Sequence, residues 1–240
     1  MRVDFHTHIG ASLSLGLHVS PEEILRQMAE ANVDRTVIFP FPSAAVADKA
    51  VNNWILEEAR KRKVFYPFYY APNDLTPLPE GRSFLGVKWH WVRGVSDCSS
   101  NYSVLRDPRL KVFVKTITSL RLPMIFEEEF GFTVRFAEMF PEVLLVIPHL
   151  GMLGGSPQSF LKAFRESENV YFDTSLSTSQ TIKIFLEEVG PERILFGSDI
   201  PFGHMKTELN KILSLELEPK TLKMVVGGNA LRLIGVKSIP

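Results

Sequence analysis

The sequence is poor in cysteine and has no surplus of charge of either sign. A single thiol, Cys98, stands among 240 residues, which excludes an intrachain disulfide framework and a zinc finger built on cysteines. Its setting in "SDCSSN" offers no activating group, so it reads as a loop thiol rather than a nucleophile. Basic and acidic side chains balance at 27 each, leaving no electrostatic footprint for nucleic acid or an anionic membrane surface. No stretch is long and apolar enough to span a bilayer. The opening "MRVDFHTHIG" runs straight into a strand, without the apolar stretch of a signal peptide. A soluble cytoplasmic protein is the expectation. No linker or low-complexity tract divides the chain, so one domain over residues 1–240 is expected.

What is present is apolar material for a core, at 45% of residues, arranged in a repeating order. Short runs rich in β-branched and aromatic residues fall at 2–8, 35–40, 64–71, 84–92, 122–128, 143–150, 169–175 and 193–200. Helical patterns separate them. Residues 20–32 open with a serine N-cap, proline at the first helical position and two early acids, and Ile24, Leu25, Met28 and Ala31 recur at helical spacing. Further helices are predicted at 45–63, 107–120, 132–140, 156–168, 178–189 and 204–216, with short closing helices over 218–235. Eight strands, each followed by a helix, imply parallel neighbours joined by crossovers. The predicted fold is α/β, a single compact (β/α)8 TIM barrel, slightly distorted. A seven-stranded ring is the alternative if 64–71 or 169–175 stays outside.

Chemistry in such a barrel sits at the C-terminal ends of the strands, and the unusual polar residues fall there. His6 and His8 end the first strand. Residues two apart in a strand share a face, so both imidazoles can converge on one ion. Asp199 follows the apolar run Ile194-Leu195-Phe196, where a carboxylate is costly unless paired or metal-bound; a helix N-cap is the plainer reading. His149 ends the sixth predicted strand, as a mouth-facing functional group or a hydrogen-bonded core residue. Lys88 and His90 share a face of the fourth, leaving Trp89 and Trp91 for the helix side. Lys88 could neutralise a buried acid, bind a substrate anion or form a carbamate that bridges two metals.

The fifth predicted strand ends oddly, with three carboxylates in "LPMIFEEEF". Strand parity puts Ile125, Glu127 and Glu129 on one face and Met124, Phe126 and Glu128 on the other. If Met124 and Phe126 pack against helices, Glu127 points into the mouth.

The ordered pieces "VDFHTHIG", "GVKWH", "VIPHLG", "ILFGSDIPFG" and "GGNALRLIG" resemble the amidohydrolase superfamily, specifically the amidohydrolase-related group of metal-dependent barrel hydrolases and decarboxylases. The resemblance spans nearly the whole chain. It implies that His6, His8 and Asp199 are metal ligands, and that His149 is a ligand to a second metal or a polariser of the substrate. It also places a histidine four residues after a proline at the end of the fifth strand, where this chain has Glu127, which we therefore take as the corresponding ligand.

The implied cofactor is a divalent metal, one ion or two, with zinc the first choice for mixed histidine and carboxylate ligands and manganese or iron the alternatives. The expected activity is hydrolysis of an amide, lactone or other ester bond of a small molecule, with Asp199 as base and His149 and Lys88 stabilising the oxyanion. The alternatives are metal-dependent decarboxylation and a catalytically altered barrel with a binding role. His90, Arg93, Tyr102, His18 and His204 are the candidates for substrate contact, and a homo-oligomer is compatible with this reading.

Overall fold

A computed structural model describes residues 1–48, 50–79, 81, 83–94 and 99–236; Cys98, taken above as a loop thiol, lies outside them. The strands are β1 (Val3–Ser12), β2 (Leu17–Val19), β3 (Arg35–Pro40), β4 (Phe65–Tyr70), β5 (Gly86–His90), β6 (Met124–Glu127), β7 (Leu145–Ile147), β8 (Val170–Asp173) and β9 (Ile194–Leu195). β1 and β3 to β9 run parallel in chain order, and β2 folds back antiparallel on the end of β1. The first and last strands meet. Phe5 N–H donates to Phe196 O at 2.8 Å, Asp199 N–H to His6 O at 2.7 Å and His8 N–H to Ile200 O at 3.0 Å. All eight predicted strands, including both weak ones, are in the ring, so the seven-stranded alternative falls away.

The helices are α1 (Pro21–Ala31), α2 (Pro42–Ala47), α3 (Val51–Lys61), α4 (Pro108–Ser119), α5 (Phe130–Met139), α6 (Pro157–Phe164), α7 (Ser179–Val189), α8 (Met205–Leu213), α9 (Pro219–Lys223) and α10 (Asn229–Ile234). In α1, Ser20 Oγ accepts from Glu23 N–H at 3.1 Å, as the cap predicts. Leu25 is only half-buried there; Gln27 takes the inner face because its Oε1 caps Met205 N–H at the start of α8.

Two sequence expectations need correcting. The helix predicted at 45–63 is two helices, because Asp48 leaves helical geometry and its side chain accepts from Ala50 N–H, the local competition expected of aspartate. Between β4 and β5 no helix occurs among the described residues. The stretch holds Pro72, Pro77 and Pro79, which remove donors and fix φ.

Apolar packing falls into two layers. Val3, Phe5, Val37, Phe39, Phe68, Ile125, Val146 and Leu195 fill the barrel interior, and α10 plugs its floor with Ala230, Leu231, Leu233 and Ile234. A larger cluster lies between sheet and helices, with Trp89 ringed by Phe113, Phe126 and Phe136. The "GGNALRLIG" segment works at the floor. Asn229 Nδ2 donates to Pro191 O and Ile194 O, fixing the entry to β9. Gly227 lets the N-terminus pass, since a Cβ there would stand 2.4 Å from Met1 O.

Strand β1 carries the feature that builds the site. Val3 and Phe5 face the interior while Ile9 joins the outer cluster, so strict alternation would turn His6 and His8 outward with Asp4. The β1–β3 register shifts between Asp4 and Thr7, and this bulge turns both histidines inward. Buried Asp4 holds the bulge, accepting from His6 N–H, Ser198 N–H, and the Thr7 and Ser198 hydroxyls. Burial outweighs these bonds and pushes its carboxyl up to about 7.

Candidate metal centre

At the C-terminal mouth of the barrel, His6, His149 and Asp199 each place one donor atom within 4.8 Å of the others. His6 Nδ1 donates to Asp173 Oδ2 at 2.8 Å, with both side chains fully buried. That bond fixes the tautomer and turns the Nε2 lone pair to the mouth. Nε2 stands 3.3 Å from Asp199 Oδ1 and accepts from Lys88 Nζ at 3.3 Å. His8 Nε2 is also 3.3 Å from Asp199 Oδ1. His149 Nδ1 contacts Ser175 Oγ at 2.9 Å, and its Nε2 lies 3.8 Å from Asp199 Oδ2.

The backbone is forced at two of these positions. His149 and Asp199 both have positive φ, near 55°, an uncommon conformation for residues with a Cβ. Beyond His149 the turn needs Gly151, whose φ is 88°, because a Cβ would sit 2.3 Å from the Phe160 ring.

Glu127 enters the mouth from β6, as parity predicts, with Met124 and Phe126 in the helix-facing layer. Its Oε2 is held by Lys88 Nζ at 2.5 Å and His90 Nδ1 at 2.9 Å; its Oε1 lies 3.7 Å from His149 Nε2. Glu127 is therefore the counter-ion of a buried lysine and stands at the edge of the His6–His149–Asp199 group. Glu128 points the other way, taking Trp89 Nε1–H at 2.8 Å, Val92 N–H at 3.1 Å and Ser100 Oγ–H at 2.5 Å. Burial pushes its carboxyl up to about 7 against those bonds. Glu129 precedes α5 and accepts from the Tyr102 hydroxyl.

The electrostatics follow from burial and neighbours. Burial keeps His6 below its usual value, helped by the Lys88 charge, and brings His8 down to about 4. Both imidazoles are neutral at pH 7 and offer lone pairs. Burial alone would raise Asp199 and Glu127, but His6, His8 and His149 hold Asp199 low, and Lys88, His90 and His149 hold Glu127 well below the carboxylate range. His149, lowered by burial, is carried up to about 9 by Glu127, Asp199 and Asp173.

These donors fit a divalent cation. His8 Nδ1 and Asp199 Oδ1 are buried without a hydrogen-bond partner, a cost that buried polar atoms rarely carry without a function. The mixture of imidazole and carboxylate suits zinc, manganese or iron.

A cavity of about 320 Å³ opens directly above, with His8, His90, Glu127, His149 and Asp199 at its floor. Trp91 forms part of its wall, not of the helix layer expected from alternation, because β5 ends at His90 and Trp91 takes a φ of 43°. Lys88 is fully buried beneath Glu127 and pairs with its carboxylate.

Four substrate candidates are held elsewhere. His18 is exposed on β2. Arg93 donates to Asn73 O and Asp107 and lines a neighbouring cavity. Tyr102 is bound to Glu129, under Arg135. His204 stands 3.6 Å from Glu30. Asp173 is the residue that sequence reading overlooked; an acid at the end of a predicted strand was its only signal.

A parallel barrel with histidines and acids gathered at its mouth defines an α/β barrel with a candidate site for a divalent metal. The amidohydrolase family model matches residues 131–236. Solved structures extend the likeness over the whole fold. A 2,6-dihydroxybenzoate decarboxylase from Rhizobium aligns at TM-score 0.74 and 16% identity, over 98% of each chain. An amidohydrolase from Burkholderia multivorans with bound zinc aligns at 0.75 and 16%, over 99% of this chain and 100% of that one. A dihydroxybenzoic acid decarboxylase from Polaromonas sp. JS666, with bound manganese and the inhibitor 2-nitroresorcinol, aligns at 0.73 and 15%, over 98% and 96%. No curated protein sequence matches. Together these comparisons show a TIM-barrel fold over the whole chain and a match to the amidohydrolase family model over its C-terminal part. Among the described residues, no helix is long and apolar enough to cross a membrane.

Proposed function

We propose that the protein is a metal-dependent hydrolase that cleaves an amide, lactone or other ester bond of a small molecule. The observation that carries this reading is Asp199 Oδ1, buried, held ionised and unpartnered between two neutral histidines. His6, His8, His149 and Asp199 would hold one divalent ion, zinc by preference, with Glu127 at the edge of the set. A bound ion supplies Lewis acidity, which acidifies water and polarises a carbonyl. Asp199 is the base that takes the proton of the attacking water and returns it to the leaving group. Asp173 holds His6 in the required tautomer, and Lys88 fixes Glu127 and through it His90. The Lys88 charge, 3.3 Å from His6 Nε2, disfavours a second cation on that side.

Decarboxylation is the second reading. It is favoured by the decarboxylases among the structural neighbours, while the turning away of Arg93, the candidate partner for a substrate carboxylate, weighs against it. Reaction in ¹⁸O-labelled water separates the two. We expect one label in the product acid; release of carbon dioxide without label in the other product would overturn hydrolysis.

A further inference from the structure

The walls of the cavity differ in chemistry from its floor. Above the histidines and acids stand Leu15, Phe41, Trp91, Leu153, Leu176 and Phe202. Phe41 stacks on His8 with ring centroids 4.8 Å apart, and Phe202 meets the same imidazole edge-on at 5.9 Å. Three of these residues are well exposed, Leu15 at 53%, Leu153 at 46% and Phe202 at 52%.

Further exposed apolar side chains gather round the same opening. Leu13 lies between the lining residues Ser12 and Ser14, Met152 adjoins Leu153, and Val46 lines the neighbouring cavity. Large apolar groups rarely cluster on a surface without something to cover them.

The charges point the same way. Among the described residues no lysine or arginine lines the cavity; its charged groups are the carboxylates Glu127 and Asp199 and the His149 imidazole between them, all at the floor. An anionic substrate arm would meet no cation in these walls and two acids below them. A neutral apolar arm loses nothing to the walls and gains by leaving water.

We propose that this mouth is the subsite for an extended apolar arm, so that the substrate is an uncharged carbonyl compound carrying an alkyl or aryl chain. The carbonyl lies at the Asp199 floor and the chain runs out between Phe41, Trp91 and Leu176 to the exposed rim of Leu15, Leu153 and Phe202. This assignment rests on the hydrolase reading for the carbonyl position, but the binding of the arm needs no chemistry.

The test is calorimetric binding of straight-chain methyl ketones, from 2-pentanone to 2-nonanone, to the purified protein. These probes offer a neutral carbonyl and an apolar arm and cannot be hydrolysed. Kd is expected to fall about three- to fourfold per added methylene, the value for transfer out of water. Phe202→Ser and Leu153→Ser, exposed positions whose replacement spares the fold, should flatten that dependence. A Kd independent of chain length would overturn the proposal. So would tighter binding of fatty-acid carboxylates than of ketones of equal length, or a rim covered by a second copy of the chain that admits no ketone. Failure of the hydrolase reading shows separately, as absence of label from water in the product beside an intact chain-length dependence.

Discussion

Asp199→Asn is expected to lower turnover roughly a hundred- to ten-thousand-fold, the usual contribution of a positioned base, while leaving the fold and much of the metal affinity in place. The asparagine amide is nearly isosteric, and the bond that seats this residue against β1 is its backbone N–H to His6 O at 2.7 Å, which the substitution does not touch. His6, His8 and His149 remain as donors, with His6 still locked by Asp173. What is lost is the basic oxygen 3.3 Å from both His6 and His8. Steady-state kinetics, with circular dichroism and metal content measured on the same sample, separate these effects. Near-normal turnover in the variant would assign the base elsewhere.

Lys88→Met is expected to carry the largest stability cost, about 3–5 kcal/mol, because it removes one partner of a buried ion pair and strands the other. Lys88 Nζ and Glu127 Oε2 are 2.5 Å apart with side chains 0% and 5% exposed, and His90 alone would remain on the carboxylate oxygen. The double variant Lys88→Met, Glu127→Gln should recover most of the loss, since the amide removes the unpaired charge and keeps a group for His90. The pair has a pH signature. Glu127 titrates well below its ordinary value in the folded chain, so its contribution is fully present above the unfolded value, about 4.3. It is lost as pH falls through the folded value. Urea unfolding of the three proteins from about pH 8 down to about pH 2, across the window in which the carboxylate protonates, tests this. A Lys88→Met loss below about 1 kcal/mol, or no recovery in the double variant, would mean that the pair does not hold the site.

The ring of strands was legible because each buried strand is a short β-rich run bounded by turn residues, and parity within β6 was enough to send Glu127 inward and Glu128 outward. The bulge in β1 was not. With both faces of the strand buried, "VDFHTH" carries no alternation from which a slip of one residue can be read, and the inward turn of His6 and His8 depends on Asp4 bonding to Ser198, nearly the whole chain away. Trp91 escaped for a related reason: the end of β5 is set by a left-handed backbone at that residue, not by composition. Asp173 resembles any acid closing a strand until β8 and β1 are brought across the barrel. The carboxylate run in β6 was visible as an anomaly; that Lys88 and His90 converge on its first member followed only from the pairing of β5 with β6.

The metal centre is tested most directly by calorimetric titration of chelator-treated protein with Zn²⁺ and with Mn²⁺, alongside the His6→Ala variant. We expect saturable binding of about one ion per chain, weakened at least tenfold in the variant. Absence of binding by either ion, or equal binding in the variant, would contradict a metal centre at the mouth of this barrel.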